Sequence, residues 1–323
     1  MAEKPSESTL KNADGLNIFC RYWYPDNKDV RALVHVIHGV GEHIGRYDAV
    51  AASFTKLGCL VYGHDHVGHG RSEGVKVDVK DFQLYVKDCL QHTTIMTEKY
   101  PNLPVIAFGH SMGGTIAILM MNSHSSRFAG AIFGSPCVAP SQATPFLIFM
   151  ARGAAYMFPQ LAVAKLVVSD ICRDPAVVED YVKDPLVWHG GVKARWAVKM
   201  YDACMQIQAE CEHKANYPFL LQHGSKDAIC DIKGSDLFFE RSKSQSKVYK
   251  KYEGYFHELD KEPEGEREVV FKDMEDWTRD LLDSLEGSKV DGPKVNGPKV
   301  NGPKVDGPIG TETASPSDVD VKS

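Results

Sequence analysis

Gly109-His110-Ser111-Met112-Gly113 lies between an apolar run, Pro104–Phe108, and a helical run, Gly114–Met121. A G-x-S-x-G turn so placed takes the chain from a buried strand directly into a helix. That forces the central residue into a strained conformation and bars bulky side chains two positions to either side. The rest of the body agrees with such a turn. Ala32-Leu33-Val34-His35-Val36-Ile37 hardly alternates, as expected of a strand covered on both faces of a parallel sheet. Further strands are expected at Asn17–Tyr24, Cys59–Gly63, Val105–Gly109, Gly130–Gly134, Phe219–Gln222 and Lys247–Tyr252. Helical periods run from Asp81 to Tyr100, Gly113 to Ser123 and Val269 to Leu285. The alternation predicts an α/β protein with a mostly parallel, doubly wound sheet.

Two segments depart from that rhythm. From Gly134 to Pro218 no clear strand appears, far longer than a crossover needs. Residues 138–202 therefore read as an inserted helical cap. Within it, Ala143 to Val168 carries only Arg152 and Lys165 as charges. From Gly287 the chain has no aromatic residue and repeats KVDGP or KVNGP four times, up to Pro308. A proline every five residues prevents helix, and one valine per repeat buries no core. The sequence thus divides into a folded domain at 1–286 and a disordered tail at 287–323.

Composition narrows the function. A net charge of -6 gives no extended grip on nucleic acid. Met1-Ala2-Glu3-Lys4-Pro5-Ser6-Glu7 has no apolar core of a secretory signal, and no stretch is apolar enough to span a bilayer. Eight scattered cysteines without CxxC pairs then read as reduced thiols, and the expected location is cytoplasmic.

Ser111 needs a base to take its proton and a carboxylate to orient that base. In sheets with this turn the order is Ser, then Asp or Glu, then His. Asp227 follows the strand Pro218–Gln222 in the loop Gly224–Asp227, and His257 is the one histidine beyond it. Asp231, Asp170 and Asp184 are the competing acids. A tetrahedral intermediate needs two N–H donors, expected from Met112 and from Val40 in His38-Gly39-Val40-Gly41-Glu42-His43. His64-Asp65-His66-Val67-Gly68-His69 suggests a metal site at first sight, but a binuclear H-x-H-x-D-H set needs Asp where Gly68 stands. It reads as a structural turn, and neither metal nor organic cofactor is expected.

HGVGEH with Gly45-Arg46-Tyr47, HDHVGHG with Ser72-Glu73-Gly74, GHSMGG, and Tyr252-Glu253-Gly254 before His257 together resemble the monoacylglycerol lipases, serine hydrolases of the α/β-hydrolase fold. The likeness runs from about residue 5 to 285. It implies Ser111, Asp227 and His257 as the triad, Val40 and Met112 as oxyanion donors, and Glu42, Arg46 and Tyr181 as glycerol-binding residues. It further implies cleavage of monoacylglycerol to fatty acid and glycerol through an acyl-enzyme. The triad chemistry equally serves a lysophospholipase or a general carboxylesterase. The chain departs from its relatives at Trp188 and Arg195, where some carry cysteine, and at Asp260, where they carry a second histidine. The apolar cap, around Pro145–Met150, is expected both to line the acyl tunnel and to dock reversibly on a membrane surface.

Overall fold

A computed structural model describes residues 6–26, 29–139 and 144–290. Its centre is an eight-stranded sheet: β1 Ser6–Lys11, β2 Asn17–Trp23, β3 Ala32–Ile37, β4 Cys59–His64, β5 Val105–His110, β6 Gly130–Gly134, β9 Phe219–Gly224 and β10 Lys247–Tyr252. Their order is β1-β2-β4-β3-β5-β6-β9-β10. β2 pairs antiparallel with both β1 and β4, and every later neighbour is parallel, with Ile37 opposite Gly109 and Val36 opposite Phe108.

Every residue of β3, β4, β5, β6 and β9 is buried, because both faces of the sheet are covered. Helices α2 Gln83–Lys99, α3 Met112–His124 and α7 Ile232–Arg241 cover one face, where Tyr85, Ile116 and Phe238 meet Leu33, Phe133 and Phe219. Helices α1 Asp48–Thr55 and α8 Arg267–Val290 cover the other, where Phe54 and Met274 meet Val34, Val36 and Leu220. Strand β1 escaped the sequence reading for a physical reason: Ser6–Lys11 is an edge strand, exposed along most of its length, and carries no apolar signal.

Between β6 and β9 lie α4 Pro145–Met157, β7 Ala162–Ala164, α5 Pro175–Lys183, β8 Val192–Lys193 and α6 Ala194–Lys214, with β7 and β8 forming a two-stranded sheet of their own. The expected limit at Asp202 falls inside α6. That helix is continuous, and its later part buries Ala203, Cys204, Ile207 and Cys211 in the main core. At the other end, α8 runs on to Val290, past the composition break at Gly287. The expected disorder of the remaining repeats falls outside the described residues.

Two glycines set the closest approach in the core. A Cβ on Gly113 would stand 2.0 Å from the carbonyl oxygen of Ile37, and one on Gly109 would stand 2.4 Å from that of Gly113. Helix α3 therefore lies directly on β3 and β5. By contrast Gly153, inside α4, has nothing within 4 Å. Gly113→Ala is expected to destabilise the protein by about 3 kcal/mol, while Gly153→Ala stabilises it by about 0.8 kcal/mol. Urea unfolding of both variants against wild type checks the pair, and equal effects would contradict this packing.

Candidate active site

Four loops leave the carboxyl ends of β3, β5, β9 and β10, the edge where open α/β sheets hold their ligands. Ser111 follows β5 at once with φ 56° and ψ -120°, a conformation that costs a non-glycine residue about 1–3 kcal/mol. The strain is held by its surroundings. The Ser111 N–H donates to the carbonyl of Gly134 at 3.0 Å, its carbonyl accepts from Cys137 N at 3.2 Å, and glycines flank it two residues away on either side.

Asp227 and His257 meet across the β9 and β10 loops. His257 Nδ1 lies 2.7 Å from Asp227 Oδ2. The other oxygen, Oδ1, accepts from the backbone N–H groups of Ile229 and Cys230 at 2.8 and 2.9 Å. His223 Nε2 stands 3.2 Å from Oδ2, a fourth partner that the sequence reading did not single out. His223 is fully buried at the end of β9, four residues before Asp227, and that spacing was its only signal. Burial alone would raise the Asp227 carboxyl, but His257 and His223 outweigh it and hold the group far below the ordinary carboxylate range. The competing acids are engaged elsewhere. Asp231 caps α7 through Lys233 N, Asp184 pairs with His43, and the Asp170 carboxylate lies by the Ser169 hydroxyl.

Ser111 and His257 border one cavity together with Gly39, Val40, Glu42 and His110 from the sheet domain, Leu166, Ile171 and Tyr181 from the inserted segment, and Ile229 and Glu258. The loop after β3 is pressed onto the serine, since a Cβ on Gly39 would lie 3.3 Å from Ser111 Cβ. Val40 is thereby on the wall. Met112 is the first residue of α3, so its N–H is one of the four that a helix leaves without an intrahelical acceptor.

Glu42 organises that loop. Its Oε1 accepts from Gly39 N at 2.7 Å and from the Tyr47 hydroxyl at 2.6 Å, and its Oε2 accepts from Arg46 at 2.7 Å. Arg46 reaches on to Glu258 with both terminal nitrogens, at 2.7 and 2.9 Å, and its guanidinium lies 4.6 Å from the Tyr181 ring centroid. Glu42, Tyr181 and Glu258 are on the cavity wall, while Arg46 stands behind it. No motif in the sequence marks Glu258.

Histidines 64, 66 and 69 shape a turn. Asp65 accepts from Ile44 N and Arg71 N, His38 Nε2 accepts from His66 N, and Gly68 adopts φ 73° where a Cβ would strike the Val75 carbonyl. Burial pushes His64 and His69 down to about 4, so they are neutral at physiological pH.

The inserted segment is clasped over the cavity. Trp188 N donates to Gly41 O at 2.7 Å, His43 Nε2 meets Asp184 at 2.8 Å, and Glu258 N donates to Ile171 O at 2.6 Å. Arg195 forms a two-pronged pair with Asp78 at 2.8 and 2.5 Å. Asp260 pairs with Lys261 at 3.1 Å.

Comparison with known proteins agrees with this architecture. The profile of the family described as serine aminopeptidase, S33, matches residues 28–264. The human monoglyceride lipase is 42% identical over 270 residues, covering 83% of this chain and 88% of the relative. The monoacylglycerol lipase of Mycolicibacterium smegmatis is 34% identical over 84% of this chain and 96% of its own length. The crystal structure of the monoacylglycerol lipase of Paleococcus ferrophilus superposes with a TM-score of 0.71 at 26% identity, covering 87% of this chain and 99% of that one. Sequence, fold and the arrangement around Ser111 converge, and the chain belongs to the monoglyceride lipase family, α/β-hydrolases within the serine aminopeptidase S33 group.

Proposed function

We propose that this protein is a serine hydrolase that cleaves monoacylglycerol to fatty acid and glycerol through an acyl-enzyme on Ser111. The observation that carries the reading is the convergence of Ser111 and the Asp227-held His257 on one cavity. His257 takes the Ser111 proton as the hydroxyl attacks the ester carbonyl, then returns it to the departing glycerol oxygen. Asp227 holds the imidazole with Nδ1 protonated, leaving Nε2 to act as base, and steadies the imidazolium that forms. The N–H groups of Val40 and Met112 receive the charge that develops on the carbonyl oxygen. Water then repeats the cycle on the acyl-enzyme. The substrate assignment rests on relatives named for this activity. Glu42 and Tyr181 supply the glycerol end of the site, with Arg46 supporting both.

Two features of the inserted segment fit a substrate that lives in lipid. The cavity at Ser111 leaves only about 20 Å³ of free space, whereas ligand pockets run to about 300–1,000 Å³. A long acyl chain therefore enters only when the clasps at Trp188, Asp184 and Ile171 open. In the same inserted segment, α4 turns Phe146, Phe149 and Tyr156 outward at 69, 73 and 91% exposure, and Leu147, Met150, Met157 and Phe158 are exposed beside them. Among the described residues no helix is long and apolar enough to cross a membrane. An apolar face of this kind docks reversibly at a bilayer surface, where an opened cap receives its substrate directly.

Ser111→Ala is expected to abolish labelling by a fluorophosphonate probe and to lower hydrolysis of 1-oleoylglycerol by about 10⁴-fold or more. Retained turnover would sink the mechanism. Asp227→Asn lowers kcat by about 10⁴-fold, and it also changes the acid limb of stability. Because the folded carboxyl titrates below the unfolded one, its stabilisation is present above about pH 5 and declines below about pH 4. The stability gap between wild type and Asp227→Asn in urea should therefore narrow from pH 5 to pH 3; a gap independent of pH would contradict the charged Asp227. In flotation with phosphatidylcholine vesicles, wild type rises with the lipid while Phe146→Glu/Phe149→Glu stays behind. Unchanged flotation of that variant would rule out docking through α4.

A further inference from the structure

The cavity that holds Ser111 ends in a buried charge cluster in which the carboxylates of Glu42, Glu258 and Asp260 meet Arg46, Lys261 and His110. Glu42 and Glu258 both belong to the cavity wall, and both are almost fully buried. Burial favours their neutral forms, yet the balance goes the other way. The His110 hydrogen bond and Arg46 hold Glu42 well below its ordinary value, and Lys261 and Arg46 hold Glu258 below its own. Both are therefore ionised at physiological pH. Arg46 spends Nη1 on the two carboxylates together and Nη2 on Glu258, and the Tyr181 ring covers its face. Lys261 is likewise shared between Asp260 at 3.1 Å and Glu258 at 3.7 Å. Three carboxylates thus face two fixed cations. His110 lies on the same wall 3.5 Å from Glu42; burial would lower its pKa, but Glu42 raises it. Asp227 holds the other side of the site through His257.

An arginine beside an ester-cleaving serine is ordinarily a ready fork for a phosphate or carboxylate. Here Glu258 occupies that fork and stands in front of it on the wall. We propose that Glu258 is a specificity-determining residue that closes the site to anionic headgroups and fits it to uncharged, hydroxyl-bearing ones. Its oxygens accept hydrogen bonds from alcohol O–H groups, which a glycerol headgroup offers and a phosphate monoester at neutral pH largely lacks. A phosphate at the same place meets a like charge in a poorly hydrated pocket with no free cation among the groups facing it. The inference rests on the monoacylglycerol reading of the site and sharpens it, since the same triad chemistry serves lysophospholipids.

The test compares 1-oleoylglycerol with 1-oleoyl-lysophosphatidic acid, which differ only by the phosphate, in wild type and in Glu258→Gln. Each result is taken as the ratio of the two kcat/KM values within one preparation, so a partly folded variant does not distort it. Wild type is expected to favour the uncharged substrate by about 100-fold or more. In Glu258→Gln the Arg46 fork faces a neutral amide, and the ratio should fall by about tenfold or more. Comparable cleavage of both substrates by wild type overturns the proposal, as does an unchanged ratio in the variant. If wild type cleaves p-nitrophenyl butyrate but not 1-oleoylglycerol, the monoacylglycerol reading has failed instead. The headgroup rule is then decided by phenyl butyrate against 4-sulfophenyl butyrate: equal rates overturn it, and selective loss of the sulfonated ester, relieved in Glu258→Gln, upholds it.

Discussion

The contact on which this molecule most depends is the bare backbone meeting of α3 with β3, where Gly113 lies so close to the Ile37 carbonyl that no side chain fits between. It fixes the height of the helix above the sheet, and with it the tight turn that holds Ser111 at positive φ. The same approach brings the loop after β3 against the serine, so that Gly39 and Val40 are placed by packing rather than by their own preferences. Strain at one residue is tolerable because a close-packed interior on both faces of the sheet over-determines it.

Charge is the second organising element. Two carboxylates on either side of Ser111 are buried and kept ionised by different means. Asp227 is surrounded by two backbone N–H groups and two imidazoles, an arrangement suited to orienting a base. Glu42 instead binds the backbone of its own loop and the Arg46 guanidinium, an arrangement suited to holding a loop in place. What separates them is the partner each meets: His257, on the cavity wall beside Ser111, for Asp227, and the guanidinium of Arg46 with the loop backbone for Glu42. Glu258 belongs to neither group. It faces the cavity, and so its charge is available to whatever enters.

Much of this was legible in the sequence, for identifiable reasons. The buried strands announced themselves because parallel strands covered on both faces must be continuously apolar, as Ala32–Ile37 is. Ser111 was marked by its glycines, and Asp227 and His257 by chain order and elimination. What stayed hidden lacked local pattern. Edge strand β1 is polar because it is exposed, and α6 crosses from the inserted segment into the main core without any break in composition. Glu258 meets Arg46 at a separation of 212 residues, which no periodicity records, and His223 meets Asp227 only four residues on but carries no motif that marks the pair. Arg195, noted as a departure from relatives, became intelligible once its partner Asp78 was in view, and the Trp188 side chain donates through Nε1 to the Gly191 carbonyl.

The account stands or falls on whether the acyl group passes through Ser111. The direct measurement is rapid acid quenching of the enzyme during turnover of 1-oleoylglycerol, followed by mass spectrometry of its peptides. The account predicts an oleoyl ester on the peptide that carries Ser111, absent in Ser111→Ala. An oleoyl adduct on another side chain, or steady turnover by Ser111→Ala with no adduct at all, would contradict it.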